Sequence, residues 1–119
     1  MRILIAEDDA DMKRFLERAL ERAGYEVVGV GDGLSAYNRL REEPFSLLLT
    51  DIVMPEMNGI DLARKATRLD PDLRVMFITG FAAVALDADE ETPRGSKVLS
   101  KPFHLRDLVR EAGRMLEYA

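Results

Sequence analysis

The sequence predicts an α/β fold in which helices cover both faces of a parallel sheet. Three observations support this prediction. Five segments are short and apolar, they alternate with segments of helical periodicity, and residues that favour turns separate them. Short buried strands that alternate with helices are typical of parallel sheets, because each crossover helix packs back onto the sheet.

The predicted strands are rich in β-branched and other apolar residues, as expected for strands buried on both faces. They lie at residues 2–6 (RILIA), 26–30 (EVVGV), 46–51 (SLLLTD), 73–79 (LRVMFIT) and 97–100 (KVLS). With right-handed crossovers, this number of strands fits the doubly wound, flavodoxin-like order 2-1-3-4-5.

The predicted helices follow the strands and are marked by apolar residues at spacings of three and four. Asp32 and Asn58 are predicted N-terminal caps, and Gly24 suits the position after the first helix. The inward stripe of the first helix includes Phe15, and that of the third ends at Leu69. With their caps, the helices cover residues 11–23, 32–43, 58–69, 82–89 (a weaker pattern) and 105–118.

The composition predicts one domain, residues 1–119, and excludes several classes of function. Hydrophobic residues make up 47% of the chain, which is enough for a core, and there is no cysteine for disulfides or thiolate metal sites. We find no membrane-spanning run and no leader, so we expect a cytoplasmic protein. The net charge of −5 argues against nucleic acid as the main partner.

Polar residues end four of the five predicted strands. Glu7 and Asp8 follow the first strand, Asp51 ends the third, Thr79 ends the fourth and Lys101 follows the fifth. The carboxyl ends of parallel strands meet at one edge, where ligands bind. Each residue alone has an ordinary explanation as a cap, a turn residue or a solvated charge. Their coincidence at one edge favours a functional site.

The chemistry of this set of residues predicts phosphoryl transfer onto Asp51. Clustered carboxylates repel one another unless a cation joins them, and oxygen ligands without cysteine favour Mg²⁺. A carboxylate beside Mg²⁺ can act as a nucleophile toward a phosphoryl group. A lysine and a threonine hydroxyl suit the phosphoryl oxygens, so Lys101 and Thr79 fit this reaction.

Four motifs occur in the order and spacing of a known family: ILIAEDD, LLLTDIVMPEMNG, VMFITG and SKP. Over its whole length the chain resembles the receiver domains of bacterial two-component response regulators. The resemblance implies that Asp51 is the phosphoacceptor, that Thr79 follows the phosphoryl group and that Lys101 pairs with it. It also implies a cis peptide at Lys101-Pro102.

The same resemblance implies a set of Mg²⁺ ligands. Asp8 and Asp51 would bind the ion, with Glu7 assisting through water and the main-chain carbonyl of Val53 as a further ligand. Asp9 is then expected to start the first helix. The donor would be a histidine kinase or a histidine phosphotransfer protein, and the receiver would only assist its own phosphorylation and dephosphorylation.

The segment FITGFAAVAL, followed by a short acidic loop and VLSKP, is similar to the CpdR-type stand-alone receivers. Those proteins take part in regulated proteolysis by the AAA+ protease ClpXP in alphaproteobacteria. Because no output domain follows in this sequence, the resemblance implies a separate protein partner. The alternatives are a phosphorelay intermediate, a haloacid-dehalogenase-like phosphatase and a DNA-binding regulator.

Several positions depart from the family pattern. Val98 replaces a ring that often reports phosphorylation, and ordinary strand packing is the simplest interpretation of this valine. Val53 and Phe81 are apolar where polar groups could orient a hydrolytic water, which predicts slow loss of the phosphoryl group. His104 is expected to start the last helix. The apolar run 81–86 predicts a partly exposed helix that contacts the partner.

Overall fold

The computed structural model describes residues 1–79, 93 and 95–117. All five predicted strands form one parallel sheet in the order β2-β1-β3-β4-β5, so the predicted doubly wound architecture is confirmed. The strands are β1 (Arg2–Ala6), β2 (Glu26–Val30), β3 (Leu47–Asp51), β4 (Arg74–Thr79) and β5 (Lys97–Ser100). Their bounds agree with the sequence prediction within one residue, since the apolar runs are short and sharply limited.

The described part of the chain contains four helices: α1 (Ala10–Arg22), α2 (Gly33–Glu42), α3 (Gly59–Leu69) and α4 (Leu105–Glu117). These match four of the five predicted helices. The predicted helix at residues 82–89 and the apolar run 81–86 lie outside the described residues. Within the described residues, no helix is both long and apolar enough to cross a membrane.

Side chains cap the first three helices. The Asp9 carboxylate accepts hydrogen bonds from the main-chain amides of residues 11 and 12, and Asp32 accepts from that of residue 35. The Asn58 side-chain oxygen accepts from the amide of residue 61. After α1, Gly24 has φ +100°, a conformation that glycine adopts without strain. The predicted caps at Asp32 and Asn58 and the turn at Gly24 are confirmed.

The core consists of two layers on opposite faces of the sheet. Strand residues alternate between these layers, because successive side chains point to opposite faces. Leu4, Leu48 and Phe77 pack with α2 and α3 on one face. On the other face Ile3, Leu49 and neighbouring residues pack with α1 and α4. The sheet is therefore covered on both faces, as its apolar strands require.

Two large residues of the predicted apolar stripes are exposed instead of facing inward. Phe15 in α1 is 52% exposed and Leu69, the last residue of α3, is 46% exposed. Phe15 lines a surface hollow of about 350 Å³ with Met12 and residues 101–103, so its ring lies at the margin of the packed face of α1. Leu69 lies at the end of its helix, where it lines a second hollow together with the end of α2 and the loop that follows it.

The amino end of β1 carries a balanced set of charges. Arg2 pairs with Glu26 through Nε at 3.2 Å and with Glu43, and its guanidinium lies 4.9 Å from the ring centroid of Phe45. Arg39 also contacts Glu43, at 3.1 Å. Burial favours a raised pKa at Glu43, but the hydrogen bonds and charges of the two arginines outweigh it and lower this pKa.

Candidate functional site

Three carboxylates meet at the carboxyl end of the sheet. Glu7 and Asp8 follow β1, Asp51 ends β3, and the two strands are paired in parallel. Among the described residues, these three carboxylates each offer an oxygen within 4.8 Å of the others. The clustering predicted from strand ends is therefore present in the fold.

The members of this acidic cluster differ in their burial. The Glu7 side chain is only 2% exposed and that of Asp51 is 13% exposed, whereas Asp8 is exposed. Burial, followed by the negative charge of Asp51, raises the pKa of Glu7 to about 7, and Lys101 opposes this rise only in part. A buried carboxylate is costly unless a partner compensates its charge, so the cluster favours a cation.

Lys101 reaches two of these carboxylates. Its Nζ lies 3.4 Å from Glu7 Oε1 and 3.3 Å from Asp51 Oδ2. Burial favours a lowered pKa for Lys101, but the charges of Asp51 and Glu7 outweigh it and raise this pKa. The ammonium is therefore positioned beside Asp51 in its charged form.

The backbone holds Lys101 next to Thr79. The amide of Lys101 donates to the carbonyl of Thr79 at 2.8 Å, which continues the β4–β5 ladder beyond the pair Thr79–Ser100. Thr79 itself is buried at 1% exposure. The Lys101-Pro102 peptide bond is cis, as the resemblance implied.

Val53 lies in the loop between β3 and α3, and its side chain is 64% exposed. Its main-chain role toward a metal stays a prediction. Asp9 caps α1 as expected, so its carboxylate is occupied by backbone amides. Val98 packs partly buried against one core layer, which agrees with ordinary strand packing. The His104 carbonyl accepts from the amides of residues 107 and 108 at the start of α4.

Two residues near Asp51 were missed in the sequence. The hydroxyl of Thr50, which is fully buried, donates to the carbonyl of Asp51 at 2.9 Å. Gly59 starts α3 and lies against the same carbonyl. A polar residue in the apolar run before Asp51 is a signal for the threonine. No local pattern reveals the contact of the glycine, because it depends on how the loop closes.

The donor set of the acidic cluster fits Mg²⁺. This ion binds oxygen ligands at about 2.1 Å in octahedral geometry, so its ligand oxygens are separated by about 3–4 Å. The cluster offers three carboxylate oxygens at separations within 4.8 Å, and one of its members is exposed to the water that would complete the coordination.

A model of the response regulator receiver domain matches residues 3–112, nearly the whole chain. The chain belongs to this receiver family. It is 71% identical over 115 residues to the response regulator receiver protein CpdR of Brucella abortus, and the match covers 97% of this chain and 96% of CpdR. Receivers interact with kinases or phosphotransfer proteins, so a protein partner of this kind follows from the family.

The match to larger regulators is limited to part of their length. The chain is 34% identical to the DNA-binding transcriptional regulator NtrC of Azospirillum brasilense over 96% of this chain, but it spans only 24% of that protein. The protein whose name includes DNA binding is about four times as long as the region that it shares with this chain.

Solved receiver structures have the same fold. A response regulator receiver protein from Sinorhizobium medicae superposes with a TM-score of 0.90 at 30% identity, covering 98% of this chain and 94% of that one. The receiver domain of the hybrid histidine kinase CckA superposes with a TM-score of 0.84, also at 30% identity, over 98% and 99% of the two chains.

Proposed function

We propose that this chain is a single-domain response regulator, residues 1–119, that accepts a phosphoryl group on Asp51 from a phosphohistidine. The donor is a histidine kinase or a histidine phosphotransfer protein. The observation that carries this proposal is the position of Lys101, whose Nζ lies 3.3 Å from Asp51 Oδ2 and 3.4 Å from Glu7 Oε1. A lysine held between carboxylates beside a buried threonine suits an incoming phosphoryl group.

In the proposed reaction, an Asp51 Oδ attacks the phosphorus of the donor. As this O–P bond forms, the N–P bond of the phosphohistidine breaks and its electron pair returns to the imidazole nitrogen. Lys101 is close enough to pair with a phosphoryl oxygen at Asp51. Thr79 ends the adjacent strand, and its hydroxyl donates to another phosphoryl oxygen in this scheme.

Glu7, Asp8 and Asp51 would hold Mg²⁺, together with the main-chain carbonyl of Val53. When bound, the ion supplies positive charge to the phosphoryl oxygens. Asp8 offers an oxygen within 4.8 Å of the other two carboxylates, and its exposure leaves this oxygen accessible to an ion, which supports a direct ligand role. The burial of Glu7 and its contact with Lys101 favour an indirect role, in which Glu7 would bind the ion through a water molecule.

We further infer that phosphorylation is read by another protein. A phosphoryl group on Asp51 adds negative charge beside Lys101 and Thr79, which shifts a two-state surface near β4 and β5. The 71% identity to a CpdR protein supports an output of the CpdR type. By the resemblance given above, we propose that this output is the control of regulated proteolysis by the AAA+ protease ClpXP. The acidic net charge of −5 supports a protein partner over nucleic acid.

The proposal is tested by incubating the chain with Mg²⁺ and an acyl phosphate donor. We expect mass spectrometry to find one phosphoryl group on the wild type and none on Asp51→Asn, which keeps the shape of the side chain but removes the nucleophile. Circular dichroism checks that the variant is folded. Full phosphorylation of Asp51→Asn, or rapid turnover of the donor without phosphoprotein, would contradict the assignment.

A phosphorelay intermediate is the second candidate function. The similarity to the receiver domain of the hybrid histidine kinase CckA favours it. In this case the phosphorylated chain would pass its phosphoryl group to a histidine phosphotransfer protein. Mixing the purified phosphorylated chain with such a protein separates the candidates. A relay would transfer the phosphoryl group from Asp51 to the second protein, whereas an end-point switch would keep it on Asp51.

A further inference from the structure

The loop at residues 52–58 leaves the sheet directly after Asp51 and returns to it at Gly59. Its neck is closed by a hydrogen bond from the Gly59 amide to the Ile52 carbonyl at 2.8 Å. The Ile52 amide donates to the Ile78 carbonyl at 3.3 Å, and the Thr50 hydroxyl donates to the Asp51 carbonyl. The main chain of Asp51 is therefore fixed on several sides at the point where the loop begins.

Glycine at position 59 is required by space. A Cβ built there would lie 2.1 Å from the carbonyl oxygen of Asp51, 3.0 Å from its carbonyl carbon and 3.1 Å from Ile52 Cα. All three atoms belong to the main chain, so no side-chain rotation can relieve the overlap. The φ angle of Gly59 is not in the left-handed region, so backbone freedom does not explain the glycine.

A second glycine contacts the far side of the same loop. A Cβ on Gly33 would lie 2.8 Å from the carbonyl oxygen of Met57 and 3.0 Å from its Cβ. Gly33 and Gly59 are the first residues of α2 and α3, each directly after a capping side chain. The starts of two helices thus contact the loop closely, α3 where the loop begins at Asp51 and α2 at Met57, after Val53.

We propose that Gly59 is a positioning residue for phosphoryl transfer, with Gly33 as a second support of the same loop. By allowing α3 to lie against the Asp51 carbonyl, Gly59 sets the direction of the Asp51 carboxylate and the path of the loop that carries Val53. This inference rests on the proposed function of Asp51 as phosphoacceptor. A side chain at position 59 would force the Asp51 main chain and α3 apart, which would change the position of the Asp51 carboxylate relative to Asp8 and Lys101.

The test compares Gly59→Ala and Gly33→Ala with Gly113→Ala as the matched control. Gly113 is also in a helix, but its Cβ would meet only the Tyr25 hydroxyl at 3.5 Å, which is an ordinary contact. Each full-length variant is measured metal-free by ¹H–¹⁵N spectra and by hydrogen exchange at the amide of position 59. Calorimetry then gives the Mg²⁺ affinity, and an acyl phosphate gives the phosphorylation rate.

We expect Gly59→Ala to shift the Ile52 amide resonance and to speed exchange at the amide of position 59. Its Mg²⁺ affinity should fall about tenfold or more, as when groups that orient metal ligands are lost. Its phosphorylation rate should fall about 10–100-fold, the cost of a misplacement of about 1 Å. We expect a smaller loss of affinity for Gly33→Ala and no change for Gly113→Ala.

A folded Gly59→Ala chain with wild-type Mg²⁺ affinity and phosphorylation rate would overturn the proposal. If this variant does not fold, it is combined with Gly113→Ala, which should stabilise α4. If the double variant also fails to fold, Gly33→Ala decides, and wild-type Mg²⁺ affinity in that variant would overturn the proposal. A wild type that binds Mg²⁺ but is not phosphorylated contradicts the proposed function, while the affinity comparison still decides the role of Gly59.

Discussion

The two ends of β1 carry charged clusters of different balance. At the amino end, Arg2 and Arg39 are matched by Glu26 and Glu43. At the carboxyl end, a single ammonium contacts a cluster of three carboxylates among the described residues. One strand therefore has paired arginines and glutamates at one end, and more carboxylates than the contacting ammonium can offset at the other.

The pKa values of two glutamates report this difference. The pKa of Glu43 at the balanced end is lowered, because its two arginines outweigh the effect of burial. The pKa of Glu7 at the acidic end is raised to about 7, first by burial and then by Asp51. The comparison indicates that the carboxyl end keeps negative charge that a further cation would offset. At the amino end, arginines already offset the charge of the glutamates.

The largest effect is expected on Mg²⁺ affinity, which should depend on a carboxylate at the carboxyl end of β1 and not on one at the amino end. Asp8→Ala removes a carboxylate ligand, so we expect the Mg²⁺ affinity to fall about 10–100-fold by calorimetry, in the range seen for perturbed metal sites. The control Glu26→Ala removes a carboxylate from the balanced end and should leave the affinity unchanged. Equal affinities in both variants would remove the metal role of Asp8.

A second prediction concerns stability without metal. Since the folded-state pKa of Glu7 lies above its ordinary value of 4.5, its contribution to stability is present below pH 4.5 and is lost as the pH rises through about 7. Glu7→Gln should therefore stabilise the metal-free chain at pH 8, by on the order of 1–3 kcal/mol. Urea unfolding with a chelator measures this, and the gain should shrink at pH 5. A gain independent of pH would contradict the assignment.

The third comparison uses exposed apolar residues near the two ends. Val53→Asn introduces a polar group that can orient water in the loop after Asp51. We expect loss of the phosphoryl group to accelerate roughly two- to tenfold, less than a true acid–base residue contributes. Leu69→Asn, beside the hollow near Glu43, should leave the decay unchanged. The amount of phosphoprotein is followed over time by mass spectrometry. Loss of the phosphoryl group from the wild type within seconds would contradict the predicted slow hydrolysis.

The smallest effect is expected at Glu43, where partly exposed ion pairs are screened by solvent. Because the folded-state pKa is lowered, its contribution to stability is present above pH 4.5 and is lost as the pH falls below that value. Glu43→Gln should lower the urea midpoint at pH 7, and the difference should disappear at lower pH. The expected change in stability is opposite in sign to that for Glu7→Gln. If both variants changed the stability in the same direction, the proposed difference between the two ends would be wrong.

The parts of the fold that depend on local pattern were predictable. The bounds of β1, β2 and β5 follow from short apolar runs, and the caps at Asp32 and Asn58 follow from side chains that accept from nearby amides. The strand order placed the polar strand ends at one edge. All of these follow from periodicity, capping and the handedness of crossovers.

The missed features depend on contacts between distant parts of the chain. Phe15 has the spacing of a core residue. Its exposure depends on which side of α1 packs against the sheet, and the spacing alone does not determine the edge of that packed side. The sequence placed Lys101 and Glu7 at the same edge, but their direct contact across 94 positions could be read only from the fold. The close approach of Gly59 to Asp51 depends on the path of the intervening loop. Sequence spacing identified the chemistry of the edge, whereas its distances and charge balance required the fold.

The capping side chains of α1, α2 and α3 have a consequence for the order in which ligands bind. A helix N-terminus attracts anions through free amides, but Asp9, Asp32 and Asn58 occupy amides in the first turn of each of these helices. An anion that arrives alone meets capped helices and three carboxylates, whose negative charge the ammonium of Lys101 offsets only in part. We therefore expect a compulsory sequence in which the cation enters before the phosphoryl donor, and free sulfate or inorganic phosphate should compete poorly for the empty edge.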